Sequence, residues 1–142
     1  MLKEADLRIG FTAAFRNLMA EWHARYGGKL ALVAGATGVL GRNLLQHLLD
    51  QEDWGVVAVS RRRPNIAGDY QHLSVDLLNR DVTLKTLGQL AGVTYVFYSA
   101  YVERSGWAAM VPPNLAMLVN TLDAVETGSP LLAHVNLMQG TK

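Results

Sequence analysis

The chain has 142 residues, which suits one domain and leaves little room for a second. Half of them are apolar and 18% are charged, so the chain has enough apolar material for a core and is not a disordered polymer. Thirteen basic residues against twelve acidic ones give +1, which lacks the basic field of a nucleic-acid binder. Zero cysteines exclude disulfides, thiolate nucleophiles and Cys-ligated metal centres. No apolar run reaches membrane-spanning length. Glu4, Asp6 and Glu21 interrupt the first stretch, which makes it a poor signal or transit peptide. The expected location is cytoplasmic, with no membrane or nucleic-acid partner.

Residues 1–26 read as an amphipathic helix, with Leu7, Phe11, Phe15, Leu18, Met19 and Trp22 at three- and four-residue steps. Gly27-Gly28 ends it, so residues 1–28 form an N-terminal helix and linker, and 29–142 form the main domain. Leu30–Ala34 is a continuously apolar run, as expected for a strand buried on both faces. A helix follows from about Val39 to Gln51, with Leu40, Leu44, Leu45, Leu48 and Leu49 on its inner side. Val56–Ser60 and Leu73–Val75 read as the second and third strands, joined by a link too short for a crossover helix. Asp81–Leu90 reads as a helix with Asp81 as its N-cap. Val93–Ser99 is the fourth strand, and Pro113 suits the first turn of a helix that runs to about Glu126. Gly128-Ser129-Pro130 stops that helix, and Leu131–Met138 is the fifth strand. Strands alternating with helices predict right-handed crossovers, hence an α/β fold with a parallel, doubly wound sheet. The four histidines lie far apart and predict no metal site.

The chemistry starts at Gly35-Ala36-Thr37-Gly38-Val39-Leu40-Gly41, which follows the first strand and opens the first helix. In that context Gly35 turns the chain off the strand, Gly38 lets the backbone approach a pyrophosphate, and Gly41 lets the helix pack closely. The first amides of the helix carry partial positive charge and suit a phosphate. Gly35, Thr37, Gly38, Val39, Leu40 and Gly41 are therefore the candidate phosphate-binding residues. About twenty positions on, a dinucleotide fold that takes NAD has a carboxylate for the ribose 2′-OH. This chain instead has Ser60-Arg61-Arg62-Arg63. Guanidinium groups there would bind a 2′-phosphate, so Ser60, Arg61 and Arg62 point to NADP(H). Asp76 and Leu77 follow the third strand, where they could hold the adenine ring or simply cap a turn. Tyr98, Ser99 and Ala100 end the fourth strand, at the carboxyl edge where open α/β sheets take ligands.

These pieces resemble the extended short-chain dehydrogenase/reductase superfamily, of the NAD-dependent epimerase/dehydratase type. More narrowly they look like the progesterone 5β-reductase / iridoid synthase branch. The resemblance rests on Ala31–Arg42, Val59-Ser60-Arg61-Arg62, Val75-Asp76, Val93–Tyr98, Asn114, Leu122–Val125 and the ending Leu137-Met138-Gln139-Gly140-Thr141-Lys142. It implies a Rossmann-type fold with sheet order 3-2-1-4-5, and NADPH-dependent reduction of a carbonyl or of a double bond conjugated to one. It also implies a small-molecule substrate. Lys142 matches the family's catalytic lysine, and Asn114 matches an asparagine on the helix after the fourth strand. The family tyrosine lies beyond Lys142, and no tyrosine here is followed four residues later by lysine. On this resemblance the chain corresponds to the first part of a reductase, truncated after the fifth strand and expected to be inactive alone. A non-catalytic NADP-binding sensor is the alternative. Ending at the fifth strand would leave an apolar edge, which predicts a homo-oligomer or another strand-pairing partner there. The N-terminal helix could cover apolar surface left open by the same truncation.

Overall fold

A computed structural model of the protein describes residues 11–138. In chain order these are α1 (Phe11–Arg25), β1 (Leu30–Ala34), α2 (Val39–Asp50), β2 (Gly55–Ser60), β3 (Gln71–Ser74), α3 (Arg80–Leu87), β4 (Tyr95–Tyr98), α4 (Trp107–Gly128) and β5 (His134–Leu137). All strand pairs are parallel and the sheet order is β3-β2-β1-β4-β5, as the resemblance implied. Leu7 and the side chains of Phe11 and Phe15 lie outside the described residues, as do Gln139–Lys142.

Every residue of β1 and β2 is buried, which explains their unbroken apolar runs. Alternation splits them between two cores. Leu30, Leu32, Ala34, Val57 and Val59 face a large cluster that also holds Met19 and Trp22 of α1, Leu87 of α3 and Met117, Ala124 and Val125 of α4. Ala31, Val33, Val56 and Ala58 face a smaller cluster with Leu45 and Leu48 of α2 and Tyr70. Thus α1 packs on the same core as α3 and α4, and the rings of its Trp22 and of Tyr26, which follows it, lie against the backbone of Gly55.

Several boundaries differ from the sequence expectation. The α3 cap is Asn79 rather than Asp81: the Asn79 side chain accepts from the Val82 amide at 3.2 Å, three residues on. Asp81 sits in the first turn, where its charge suits the positive helix end. The helix stops at Leu87, with Gly88 as C-cap, rather than at Leu90. The helix α4 starts at Trp107, so Pro112 and Pro113 lie inside it instead of opening it. Their missing N–H groups leave the carbonyls of the exposed Ala108 and Ala109 to solvent, a far smaller cost than in a buried helix. The strands β3, β4 and β5 are four residues each and shifted or shortened relative to the expected spans. For β4 the partner sets the limits, since it pairs with β1 only from Ala31↔Tyr95 to Ala34↔Tyr98.

Candidate nucleotide-binding site

The site forms where β1 ends between β2 and β4. Gly35 has φ +80°, and a Cβ there would lie 2.6 Å from the Ala100 amide nitrogen, so two constraints demand glycine. A Cβ at Gly41 would collide with the Gly35 carbonyl oxygen and reach 2.8 Å from Ser99 Oγ. Bare backbone at 35 and 41 therefore lets α2 start directly on the end of β1. Gly38 is different: its φ is −71°, and a Cβ would meet only the Gly35 carbonyl oxygen, at an ordinary 3.5 Å. Nothing in the protein itself requires glycine there.

Gly38 is the N-cap of α2 and makes no side-chain cap. The Gly38 amide bonds to the Gly35 carbonyl at 3.1 Å and Arg42 to the Gly38 carbonyl at 2.9 Å. Among the described residues the amides of Val39, Leu40 and Gly41 have no hydrogen-bond acceptor. Three unpaired N–H groups thus stand at a positive helix end beside an exposed Thr37, a donor set with the chemistry to take an oxyanion. The Val39 and Leu40 side chains are themselves exposed, 74% and 56%.

At the tip of β2, the backbone is pinned and the charges are left outside. Ser60 Oγ donates to the Arg62 carbonyl at 2.5 Å, and Ser74 Oγ to the Arg61 carbonyl at 2.8 Å. His72 Nε2 lies 3.0 Å from Ser60 Oγ and 3.2 Å from the Ser60 carbonyl oxygen. Burial holds the His72 imidazole below the ordinary histidine range; its hydrogen bond to Ser60 opposes this, and the Arg63 charge adds to the lowering. Arg63 stacks on Tyr70 at 4.7 Å, while Tyr70 Oη donates to the Pro64 and Ile66 carbonyls and holds the loop. The Arg61 and Arg62 guanidiniums are exposed and have no hydrogen-bond or ion-pair partner among the described residues.

The other sequence-selected residues divide between the site and its support. Asp76 is exposed and its Oδ1 accepts from the Leu78 amide at 3.0 Å, which makes it a turn cap. The Leu77 side chain is buried in the large core, 5% exposed, and its carbonyl accepts from Asn120 Nδ2 at 2.8 Å. Asn120 Oδ1 accepts in turn from Arg80 at 3.1 Å, so α4 fixes the turn after β3. Ser99 Oγ donates to the Ala34 carbonyl at 2.8 Å, locking β4 to the glycine turn, and Ala100 abuts Gly35. Tyr98 instead turns into the core: it is 4% exposed, its hydroxyl has no partner, and burial pushes its pKa up to about 12. Asn114 Oδ1 accepts from the Val102 amide at 2.9 Å, and its Nδ2 donates to the Val102 and Met110 carbonyls, both at 2.8 Å. It clamps the loop between β4 and α4. Lys142 lies outside the described residues. Sequence reasoning passed over His72, Asn79 and Asn120; only Asn79 carried a local signal, its spacing to Val82.

An open parallel sheet with a glycine turn at the strand where the order reverses defines the dinucleotide-binding class of α/β folds. The chain belongs to the NAD dependent epimerase/dehydratase family, whose model matches residues 31–127. It is 35% identical over 121 residues to the 3-oxo-Delta(4,5)-steroid 5-beta-reductase of Arabidopsis thaliana, covering 80% of this chain and 31% of that protein. It is 36% identical over 122 residues to an (S)-8-oxocitronellyl enol synthase of Nepeta cataria, again covering 80% of this chain and 31% of the relative. The chain thus spans about a third of the length of these curated relatives. A short chain dehydrogenase of Burkholderia cenocepacia, solved in complex with NADP, shares the fold with a TM-score of 0.63 at 21% identity, over 71% of this chain and 48% of that one.

Proposed function

We propose that the chain binds NADP(H) and supplies the coenzyme half of an oxidoreductase acting on a small carbonyl compound, an enone in the first instance. One observation carries the coenzyme reading: three unpaired amides at the start of α2 stand beside two unpartnered guanidiniums at the tip of β2. Glycine at 38 supports this reading, because beyond its chain neighbours only the Gly35 carbonyl oxygen lies within 4 Å of where a Cβ would stand. The amides of Val39, Leu40 and Gly41 would hold the diphosphate, and Arg61 and Arg62 the 2′-phosphate. Asp76 and the backbone at Ser99 and Ala100 would border the adenosine and ribose. When bound, NADPH supplies a hydride. Asn114 keeps the loop beside that coenzyme edge in place, and Lys142 would stabilise a developing enolate oxygen if it reaches the substrate. The reductase names of the two relatives support the enone class.

The test is the double substitution Arg61→Ala/Arg62→Ala. Each charge-assisted bond contributes roughly 1.5–3 kcal/mol, so NADP+ affinity should fall about 10- to 100-fold while NAD+ affinity stays within about twofold. Unchanged NADP+ affinity would remove the 2′-phosphate reading. The second reading, a non-catalytic NADP-binding sensor, draws on Tyr98, whose buried, high-pKa hydroxyl is no ready proton donor. NADPH oxidation in the presence of 2-cyclohexen-1-one separates the two. Turnover supports the reductase, and binding without turnover, in a chain extended to the relatives' length, supports the sensor. The β5 edge would pair with a second copy or another strand, since all four of its residues are exposed.

A further inference from the structure

We propose that His72 is a specificity-determining residue of this site, which takes up a proton when a 2′-phosphate settles beside Arg61 and Arg62. The inference rests on the coenzyme reading above and adds a titrating group to it.

His72 pairs with Ala58, two residues before the last partner pair of β2 and β3, Ser60↔Ser74. Ala58 belongs to the core on the α2 side, so His72 lies on the same face of the sheet as α2. Its ring then reaches the tip of β2. The Ser60 hydroxyl has one proton, which goes to the Arg62 carbonyl. Towards His72 the same oxygen can only accept. The Ser60 carbonyl oxygen, also beside Nε2, can only accept as well. Both contacts therefore put the ring proton on Nε2 and leave Nδ1 as the atom that can gain a second one.

The charges around the ring oppose that gain in the free protein. Arg63 acts on it directly, and Arg61 and Arg62 follow Ser60 on the same segment. No other residue of β2 or β3 is charged. On α2 the titratable groups are Arg42, His47 and Asp50; none bonds to His72, and Asp50 accepts from Gln46 at 2.9 Å. Among the described residues, then, no carboxylate is paired with the ring. A 2′-phosphate would reverse this balance, since an opposite charge nearby favours the protonated imidazole. A free 2′-OH would not. Ser60 itself has no hydroxyl proton to give a ribose, so it acts as the relay between His72 and the arginine turn.

The readout is the imidazole itself, because the 2′-phosphate also titrates near pH 6 and obscures affinity alone. Imidazole NMR signals would be followed against pH for the protein alone, with NAD+ and with NADP+, and His72→Gln would assign the signal. The proposal expects the His72 midpoint to move to higher pH with NADP+ and to stay put with NAD+. His72→Gln keeps an N–H donor for Ser60. It should therefore preserve NADP+ binding above pH 7 while reducing the NADP+/NAD+ preference at pH 6 about threefold or more relative to the unsubstituted protein. The ligand's own ionisation is common to both proteins. Preferred NADP+ binding with the same His72 midpoint in all three states overturns the proposal and leaves the coenzyme reading standing. Equal affinity for NADP+ and NAD+ overturns both.

Discussion

The β1–β2 half of the sheet and its β5 edge end in opposite states. All five residues of β1 and all six of β2 are buried, whereas all four of β5 are exposed. The first half has neighbours on both edges and helices on both faces. The second has Val135 and Leu137 at 39% and 43% exposure, and an edge without a strand partner among the described residues. The candidate site lies on the first half and at the seam with β4. That is where rigid packing holds the bare amides, and the backbone that carries the exposed arginines, in fixed positions.

The sharpest way to break the built half is Gly41→Ala. Its Cβ has no space against the Gly35 carbonyl, and that backbone cannot retreat from β4. We expect a loss of about 3 kcal/mol or more, read as loss of the cooperative unfolding transition or a sharp drop in denaturation midpoint. Gly38→Ala separates ligand space from protein packing. The new methyl fits the protein, so stability should fall by no more than about 1 kcal/mol, the cost of an alanine cap. Dinucleotide affinity should fall about tenfold or more, because the methyl occupies the approach to the phosphates. A binding loss no larger than the stability loss would mean that the cradle does not meet the ligand.

Tyr98→Phe tests the seam. It removes a buried hydroxyl that has no partner, so stability near neutral pH should rise by about 1 kcal/mol. Its folded pKa of about 12 exceeds the ordinary 10.0. The unfolded state therefore loses its proton first, and this residue's contribution is intact below pH 10 and lost as pH rises towards 12. The phenylalanine variant should show a shallower alkaline loss of stability, measured by denaturant unfolding across that window. The smallest effect on folding belongs to the exposed half. Val135→Lys with Leu137→Lys should change stability by less than about 0.5 kcal/mol yet abolish self-association seen by light scattering. A preparation that is monomeric before the substitutions removes the pairing expectation.

The same contrast explains what could be read from sequence. The glycine spacing after an unbroken apolar run identified the turn, and the absence of a carboxylate after β2 identified the arginines, because both signals are local. The apolar β5 read as a strand for the same reason. The orientation of Tyr98 was not readable: in a four-residue strand, either face fits the pattern until pairing with Ala34 fixes which side points inward. His72 was passed over because its partner lies 12 residues away across a strand pair. Asp81 reads as a cap because it is acidic and near the helix start, but Asn79 has the three-residue spacing that a cap needs. Proline at 113 misplaced the start of α4, since its first turns are solvent-exposed and tolerate the lost hydrogen bonds.

On the proposed reading, the amides after β1 and the guanidiniums after β2 act together on a dinucleotide carrying a 2′-phosphate. Parallel calorimetric titrations of the unsubstituted chain with NADP+ and NAD+ put that reading to the test. NADP+ should bind at least about tenfold more tightly than NAD+; equal affinities, or no heat with NADP+ at millimolar concentration, would refute the shared role of these groups.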